Sequence, residues 1–237
     1  MADEERAEQL RVRLAAVHAR IADAAASAGR ARDDVTLVVV TKTWPASDIR
    51  ALHDLGVRDI GENRHPEAET KAEELAALHL TWHFIGQIQS NKAPRIAGYA
   101  DVVHSVDSVR LAQRLNAGAH SRGRVIECFV QVSLDPVDQS ARGRGGVVAS
   151  ELDEVADAVS SSEALKLCGV MGVAPLGGDA AEAYDRLAVI SQRLRAGHPE
   201  ATAISAGMTG DYLEAISAGA THVRVGSAIL GERRPLR

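Results

Sequence analysis

The chain has 237 residues, a formal net charge of -5, a hydrophobic fraction of 46% and an aromatic fraction of only 3%. The length suits one large domain or two small ones and is enough to bury a core. The acidic balance and the shortage of aromatic residues argue against a nucleic-acid-binding protein, which usually shows a basic face with stacking aromatics. The basic residues at the end of the chain, Arg233, Arg234 and Arg237, are interpreted as a solvated tail.

The cysteine content, the N-terminal sequence and the lengths of the apolar stretches indicate a cytoplasmic protein. Two cysteines, Cys128 and Cys168, are too few for a disulfide framework, so we expect two buried thiols in a reducing compartment. The N-terminus MADEERAEQL lacks the apolar segment of a signal peptide. No apolar stretch approaches the ~18 residues that a membrane span needs, so we expect no membrane partner.

The first predicted element is an amphipathic helix that precedes every strand. Leu10, Leu14, Val17 and Ile21 are spaced by four, three and four positions, which places them on one helical face. Gly29 is the predicted end, because glycine is favoured just after a helix. Residues 1–30 are therefore assigned to an N-terminal helix and 35–231 to the domain that follows.

That domain contains eight apolar or β-branched segments, most of them separated by segments of helical character. Strands that alternate with helices form a parallel sheet. Eight of them at this length predict a single (β/α)8 barrel of the TIM type, since an open doubly wound sheet usually has fewer strands. Residues 134–146 are interpreted as a mobile rim loop. The predicted strands are 36–41, 57–60, 81–85, 101–105, 125–132, 167–173, 201–205 and 221–225.

Two cations follow the first and last predicted strands. In such a barrel the active site lies at the carboxyl ends of the strands. Alternation places Lys42 on the same face as Val40, and it turns Arg224 inward because its neighbours Val223 and Val225 take the outer face. Barrel closure makes these strands neighbours, so both cations would project into one mouth and attract an anion. The alternative is that each is salt-bridged or reaches solvent.

The loops after the seventh and eighth strands, SAGMTGD (205–211) and VGSAILG (225–231), are candidates for phosphate binding. Main-chain amides of Gly207, Gly226 and Ser227 could hold a phosphate, or the glycines could serve only tight turns. A lysine opposite a phosphate pocket suggests a Schiff base. Pyridoxal 5'-phosphate and a sugar-phosphate aldolase substrate both fit this pattern.

Three polar residues near the ends of the second and third predicted strands each have two interpretations. Asn63, in GENRHPE, could hold a ligand oxygen or cap the next helix. Gln87 and Asn91, in HFIGQIQSNK, have the same two interpretations. The sequence has no dinucleotide-binding or Walker motif and no histidine or cysteine spacing that predicts a metal site.

The stretches VVVTKTWP, GEN, HFIGQIQSNK and SAGMTGDYLEAISAGATHVRVGSAILG resemble those of the pyridoxal-phosphate homeostasis protein family. The resemblance runs from about Val35 to Gly231 and implies the alanine racemase-like barrel of fold type III. It implies that Lys42 carries pyridoxal 5'-phosphate as an internal aldimine. It further implies a cofactor site formed by Asn63, Ser205, Gly207, Arg224, Gly226 and Ser227, with Arg224 near the pyridine ring and the serines and glycines near the phosphate.

Members of the family bind and deliver this cofactor and keep its free level safe, so the resemblance implies intracellular homeostasis, possible transfer to apo-enzymes and no robust catalysis. The alternatives are a weak pyridoxal-phosphate-dependent racemase or related enzyme, and a Schiff-base aldolase without cofactor. A racemase needs two acid-base groups on opposite faces of the substrate, and Tyr99, Tyr184 and Tyr212 are predicted away from the strand ends. The added β domain of fold-type III enzymes has no room here, so a monomer is expected.

Overall fold

The structure, a computed structural model, describes residues 2–135 and 145–232. Eight parallel strands form a closed barrel in which each strand pairs with its neighbours in chain order and β8 pairs with β1. The predicted (β/α)8 architecture is confirmed. The strands are β1 (Thr36–Val40), β2 (Asp59–Glu62), β3 (Thr81–Phe84), β4 (Val102–Val106), β5 (Ile126–Gln131), β6 (Leu165–Met171), β7 (Ala203–Ser205) and β8 (His222–Val225).

The helices that connect these strands surround the barrel. Short 3-10 helices at Arg32–Asp34 and Ala76–Leu78 lead into β1 and β3. Residues 136–144 and 233–237, which include most of the predicted rim loop and the basic C-terminal cluster, lie outside the described residues. The helices are α1 (Ala2–Ser27), α2 (Ala46–Asp54), α3 (His65–Glu74), α4 (Ala93–Ile96), α5 (Val109–His120), α6 (Leu152–Ser160), α7 (Ala180–Gly197), α8 (Tyr212–Ser217) and α9 (Ser227–Leu230).

Helix α1 buries the predicted apolar stripe against the outer layer of the barrel, where it contacts α2, α8 and α9. Gly29 follows its end with a φ of +68°, a left-handed conformation that glycine adopts without steric cost. No helix among residues 2–135 and 145–232 is both long and apolar enough to cross a membrane.

Strand boundaries differ from the predicted ones by one or two residues. The largest shifts, two residues at both ends, concern β6 and β2, and β2 begins at Asp59 instead of Val57 and runs on through Glu62. Pairing decides this, because Asp59 through Glu62 lie opposite Thr81 through Phe84 of β3. A charged residue at a strand end gives no apolar signal, so the pattern could not extend the strand to Glu62.

Alternation along the strands separates two packing layers. Leu37, Val39, Val223 and Val225 pack in the cluster between the strands and the helices, whereas Arg224 points into the barrel. The barrel interior holds a smaller apolar cluster of Val102, Phe129 and Met171, next to the rings of His83, His104 and His222. The inner core is therefore partly polar, and its histidines need hydrogen-bond partners.

Candidate functional site

A cavity of about 390 Å³ opens at the carboxyl ends of β1, β3, β7 and β8. This volume lies in the range of small-molecule sites, roughly 300–1,000 Å³. Among the described residues the charged groups that line it are two cations, Lys42 and Arg224, and no carboxylate does so. The cavity therefore suits an anion. Its lining residues are Val40, Lys42, Trp44, Ile85, Met208, Thr209, Gly210, Arg224, Gly226, Ser227 and Gly231.

Lys42 is half-buried and lies two residues beyond the end of β1. The next residue, Thr43, has a φ of +70°. For a β-branched residue this left-handed conformation is strained, with a cost of order 1–3 kcal/mol. The backbone thus turns sharply just after Lys42, and neighbouring residues must hold that turn.

Side chains from β2 and α3 hold the backbone on both sides of Lys42. The main-chain N–H of Thr43 donates to Glu67 Oε1 at 2.5 Å. Lys71 Nζ donates to the carbonyl oxygen of Thr41 at 3.0 Å, and the Thr41 hydroxyl donates to Glu62 Oε1 at 2.7 Å. The groups before and after Lys42 are therefore both fixed by the same cluster.

Lys71 is the centre of this cluster. It is 7% exposed and lies 2.8 Å from Glu62 Oε1 and 2.6 Å from Glu67 Oε1. Burial raises the pKa of the Glu62 carboxyl, while the hydrogen bond from Lys71 opposes that shift. The second oxygen of Glu62, Oε2, is buried and has no hydrogen-bond partner among the described residues.

This cluster was not predicted from the sequence. Two signals were present: Glu62 in the GEN stretch, and the spacing of four between Glu67 and Lys71, which brings them together on one helix face. Neither signal shows that Lys71 reaches back to β1, because that contact depends on how α3 packs on the barrel.

Arg224 is 4% exposed and points inward, as predicted. Its Nη1 donates to Ser205 Oγ at 2.5 Å and its Nη2 to the carbonyl of Gly172 at 3.0 Å. Both partners are neutral oxygens. Burial lowers the pKa of the guanidinium to about 10, which still leaves it charged at neutral pH. A buried cation held by neutral oxygens at a cavity wall is well placed for an anionic or polar ligand.

The loops after β7 and β8 come close to other backbone segments, and this closeness requires glycine. A Cβ on Gly226 would lie 3.1 Å from the carbonyl oxygen of Val40. Gly207 has a φ of +87°, and a Cβ there would lie 2.7 Å from both Ala215 and Tyr212. The Gly207 carbonyl also accepts a hydrogen bond from the Arg224 main chain at 2.9 Å. Gly207 thus holds the loop after β7 close to α8 and to β8.

The structure brings together four of the predicted site residues on the cavity wall: Lys42, Arg224, Gly226 and Ser227. The other three are not among the described residues that line the cavity. Ser205 is fully buried beneath Arg224, Gly207 is buried, and the Asn63 Oδ1 atom is buried with no partner among the described residues. Met208, Thr209, Gly210 and Gly231 line the cavity from the two loops that were predicted to bind phosphate, whereas Val40, Trp44 and Ile85 were not among the predicted site residues.

Other chemistry-bearing groups are arranged differently. In the parts of the chain that the structure describes, no group of three or more His, Cys, Asp or Glu side chains could hold a metal ion. Cys128 is fully buried, but Cys168 is only partly so, which corrects the expectation of two buried thiols. Cys168 lies on β6, and its side chain packs against the interior cluster of Val102, Phe129 and Met171 while it keeps some solvent contact.

The chain belongs to the class of proteins built on the alanine racemase N-terminal domain. The family model described as the N-terminal domain of alanine racemase matches residues 12–234. Within that class, a protein of Mycobacterium tuberculosis named pyridoxal phosphate homeostasis protein is 42% identical over 246 aligned residues, which cover 97% of this chain and 95% of that protein. The chain belongs to the pyridoxal phosphate homeostasis protein family, which confirms the resemblance in the sequence.

Solved structures agree. PipY of Synechococcus elongatus without PLP superposes with a TM-score of 0.82 at 33% identity, covering 94% of this chain and all of PipY at 100%. A second structure, described as PipY with PLP bound, gives a TM-score of 0.77 at 35% identity and covers 89% of this chain and 100% of PipY.

Proposed function

We propose that this protein binds pyridoxal 5'-phosphate in the cavity as a Schiff base on Lys42, and that it serves intracellular homeostasis of the cofactor by carrying, buffering and delivering it. One observation carries the proposal: a lysine amine and a buried guanidinium are the charged groups, among the described residues, that line a cavity of about 390 Å³. The PLP bound to PipY, a relative of the same fold, supports the identity of the ligand.

The residues present fit the chemistry of this cofactor. Its aldehyde condenses with an amine, which Lys42 offers. Its phosphate suits a cationic wall with hydroxyl groups, here Thr209 and Ser227, next to the glycine loops. Ser205 and Gly207 support the site from beneath. When bound, the cofactor supplies an electrophilic aldehyde and an electron sink.

Arg224 limits how strongly the bound cofactor can act as an electron sink. We expect its guanidinium near the pyridine ring, together with Asn63 at the side of the cofactor. Arginine is a donor that cannot accept a proton. It therefore leaves the ring nitrogen neutral, whereas a carboxylate there would keep that nitrogen protonated and strengthen carbanion stabilisation.

The described residues of the cavity wall include no second acid-base group beside Lys42. Apart from Lys42, the described lining residues include no Tyr, His, Cys, Asp or Glu. Tyr184 donates to Asp211 at 2.9 Å, and Tyr99 faces His65 at 3.4 Å, so both hydroxyls are engaged away from the cavity wall. Racemisation needs a proton donor and acceptor on opposite faces. These positions support a binding protein without robust turnover, for which the alternative is a weak racemase or related enzyme.

The absorption spectrum of the purified protein tests the ligand and its attachment. On addition of pyridoxal 5'-phosphate, a near-visible band is expected in the wild type and in Lys92→Ala, a control at an exposed lysine. Lys42→Ala should lose it. Borohydride reduction followed by peptide mass analysis should place the adduct on Lys42. A wild type that stays colourless would overturn the proposal.

Two further assays test homeostasis against catalysis. The loaded protein should activate a pyridoxal-phosphate-dependent apo-enzyme faster than free cofactor at the same total concentration. Equal rates would restrict the role to buffering. Incubation with L-amino acids in deuterated water should give no sustained α-proton exchange, and steady multiple turnover would favour the weak enzyme.

A further inference from the structure

A chain of hydrogen-bonded side chains crosses the barrel interior from the cavity to the opposite end. Arg224 Nη1 lies 2.5 Å from Ser205 Oγ, which lies 2.7 Å from His104 Nδ1. His104 Nε2 lies 2.9 Å from His83 Nδ1, and His83 Nε2 lies 2.9 Å from Asp59 Oδ1. The chain passes through β8, β7, β4, β3 and β2, and it ends at the first residue of β2.

The interior members are shielded from water. Ser205 and His104 are fully buried and His83 is 2% exposed. In such surroundings each donor needs an acceptor within the protein, because an unsatisfied polar group costs about 1–3 kcal/mol. The chain is therefore expected to satisfy itself in one consistent direction.

Chemistry determines that direction. An ionised carboxylate only accepts, so His83 donates to Asp59 through Nε2. If His83 is neutral, its Nδ1 accepts, and His104 must donate to it through Nε2. Burial, together with the charges of its neighbours, keeps the pKa of His104 well below its usual value, so this ring is neutral. With its single proton on Nε2 toward His83, its Nδ1 accepts. The Ser205 hydroxyl proton then points to His104, and its lone pairs face Arg224.

We propose that Asp59, His83 and His104, none of which lines the cavity, are positioning residues for Arg224. They orient the Ser205 hydroxyl so that it accepts from the guanidinium, and this acceptor holds Arg224 at the cavity wall. The chain thus couples a surface carboxylate at one end of the barrel to the ligand-binding end. The inference rests on the proposed function only for the identity of the ligand.

The tautomers of the histidines test the chain without any ligand. Nitrogen-15 NMR of histidine-labelled protein at pH 7 should show His104 as a ring protonated at Nε2, so that the proton between the two rings lies on His104 Nε2 and not on His83 Nδ1. Assignment uses His83→Gln and His104→Phe. A His104 ring protonated at Nδ1, or a charged His83, would overturn the proposed direction. This measurement keeps its meaning even if the protein does not bind pyridoxal 5'-phosphate.

A double-mutant cycle tests the effect on the cavity. In titrations with pyridoxal 5'-phosphate, Ser205→Ala and His104→Phe should each raise the Kd by about tenfold, because the first removes the charge-assisted hydrogen bond from Arg224 and the second leaves the Ser205 hydroxyl unoriented. The double variant should bind no worse than Ser205→Ala alone, because both changes act through the same hydroxyl. Additive effects would show that His104 acts independently of Ser205 and would overturn the proposal.

His222 provides the matched control. Its ring packs against His83, His104 and Phe129, with centroids 6.4, 6.2 and 5.1 Å apart, but its hydrogen bond goes to Thr221 Oγ1. His222→Phe should change the Kd by less than about twofold. An equal loss of affinity in His104→Phe and His222→Phe would show that His104 acts through packing and not through its hydrogen bonds, and it would overturn the proposal.

A variant outside the core covers the case in which His104→Phe does not fold. Asp59 keeps 32% of its side chain exposed, so Asp59→Ala should fold. This change should still weaken the binding of pyridoxal 5'-phosphate. It should also leave the His83 ring without the acceptor that holds it in one tautomer. Unchanged binding with an unchanged tautomer would overturn the proposal. If the wild type itself shows no binding, the proposed ligand is wrong, and the tautomers alone decide on the chain.

Discussion

Lys71 donates from its buried ammonium to the main-chain carbonyl of Thr41, the residue directly before Lys42, at 3.0 Å. This contact ties α3 to the segment that presents the cavity lysine. Because the same ammonium also contacts Glu62 and Glu67, the position of Lys42 depends on a buried ionic cluster that lies outside the cavity.

Replacing Lys71 by methionine should destabilise the protein strongly. The change leaves Glu62 buried without its cation, and breaking a buried pair typically costs about 3–5 kcal/mol. Urea denaturation at pH 7 measures the loss. Lys92→Met, at an exposed position, should stay within about 0.5 kcal/mol of wild type.

The double variant Lys71→Met, Glu62→Gln separates the lost contact from the stranded charge. Removing the Glu62 charge should restore part of the stability, since glutamine needs no cation. A double variant no more stable than Lys71→Met alone would contradict the assignment of the cost to Glu62.

Gly207→Ala should destabilise the loop beneath the cavity. The new Cβ would meet Ala215 and Tyr212 at 2.7 Å with φ at +87°, a combination of overpacking and strain worth about 2–4 kcal/mol. Gly210→Ala in the same loop meets nothing within 4 Å and should be nearly neutral. Thermal or urea unfolding of the two variants provides the comparison, and equal stabilities would contradict it.

Acid should weaken the fold partly through His222. Burial lowers the pKa of this ring from 6.5 to about 4. A lowered pKa means that the folded state resists protonation, so the stabilising contribution is present above pH 6.5 and is lost as pH falls through about 4. Relative to His222→Phe, the wild type should lose about 3 kcal/mol between pH 7 and pH 4.

Urea denaturation at several pH values in that window checks the sign. The variant His120→Gln changes a histidine whose ring lies at the surface. Its stability should therefore vary with pH as that of the wild type does. A constant difference between wild type and His222→Phe across the window would contradict the buried, neutral state of His222.

The two thiols should react slowly in the folded protein. Burial raises the pKa of Cys128 far above its usual range, and burial raises that of Cys168 to about 11. Thiolate is the reactive form, so iodoacetamide at pH 8 should modify Cys168 slowly and Cys128 only after unfolding. Mass spectrometry of tryptic peptides follows both sites. Rapid labelling of Cys128 in the native state would contradict its burial.

The local sequence pattern was enough to predict the barrel and the two cations at its cavity. Apolar runs that alternate with helical segments predicted the eight strands, and period-two alternation turned Arg224 inward beside Lys42. Both inferences work because side-chain direction along a strand is a local property of the backbone. The resemblance in the sequence likewise identified the family that the comparisons show.

Only the tertiary structure decided how those cations are held. His104 and Ser205 are 101 positions apart in the chain, and Lys71 and Thr41 are 30 apart. Their meeting depends on strand register, barrel closure and the packing of α3. Periodicity within a segment carries no information about such partners. For the same reason the hydrogen bond from Arg224 to Ser205, a residue that the resemblance implies near the phosphate, could not be predicted from the sequence.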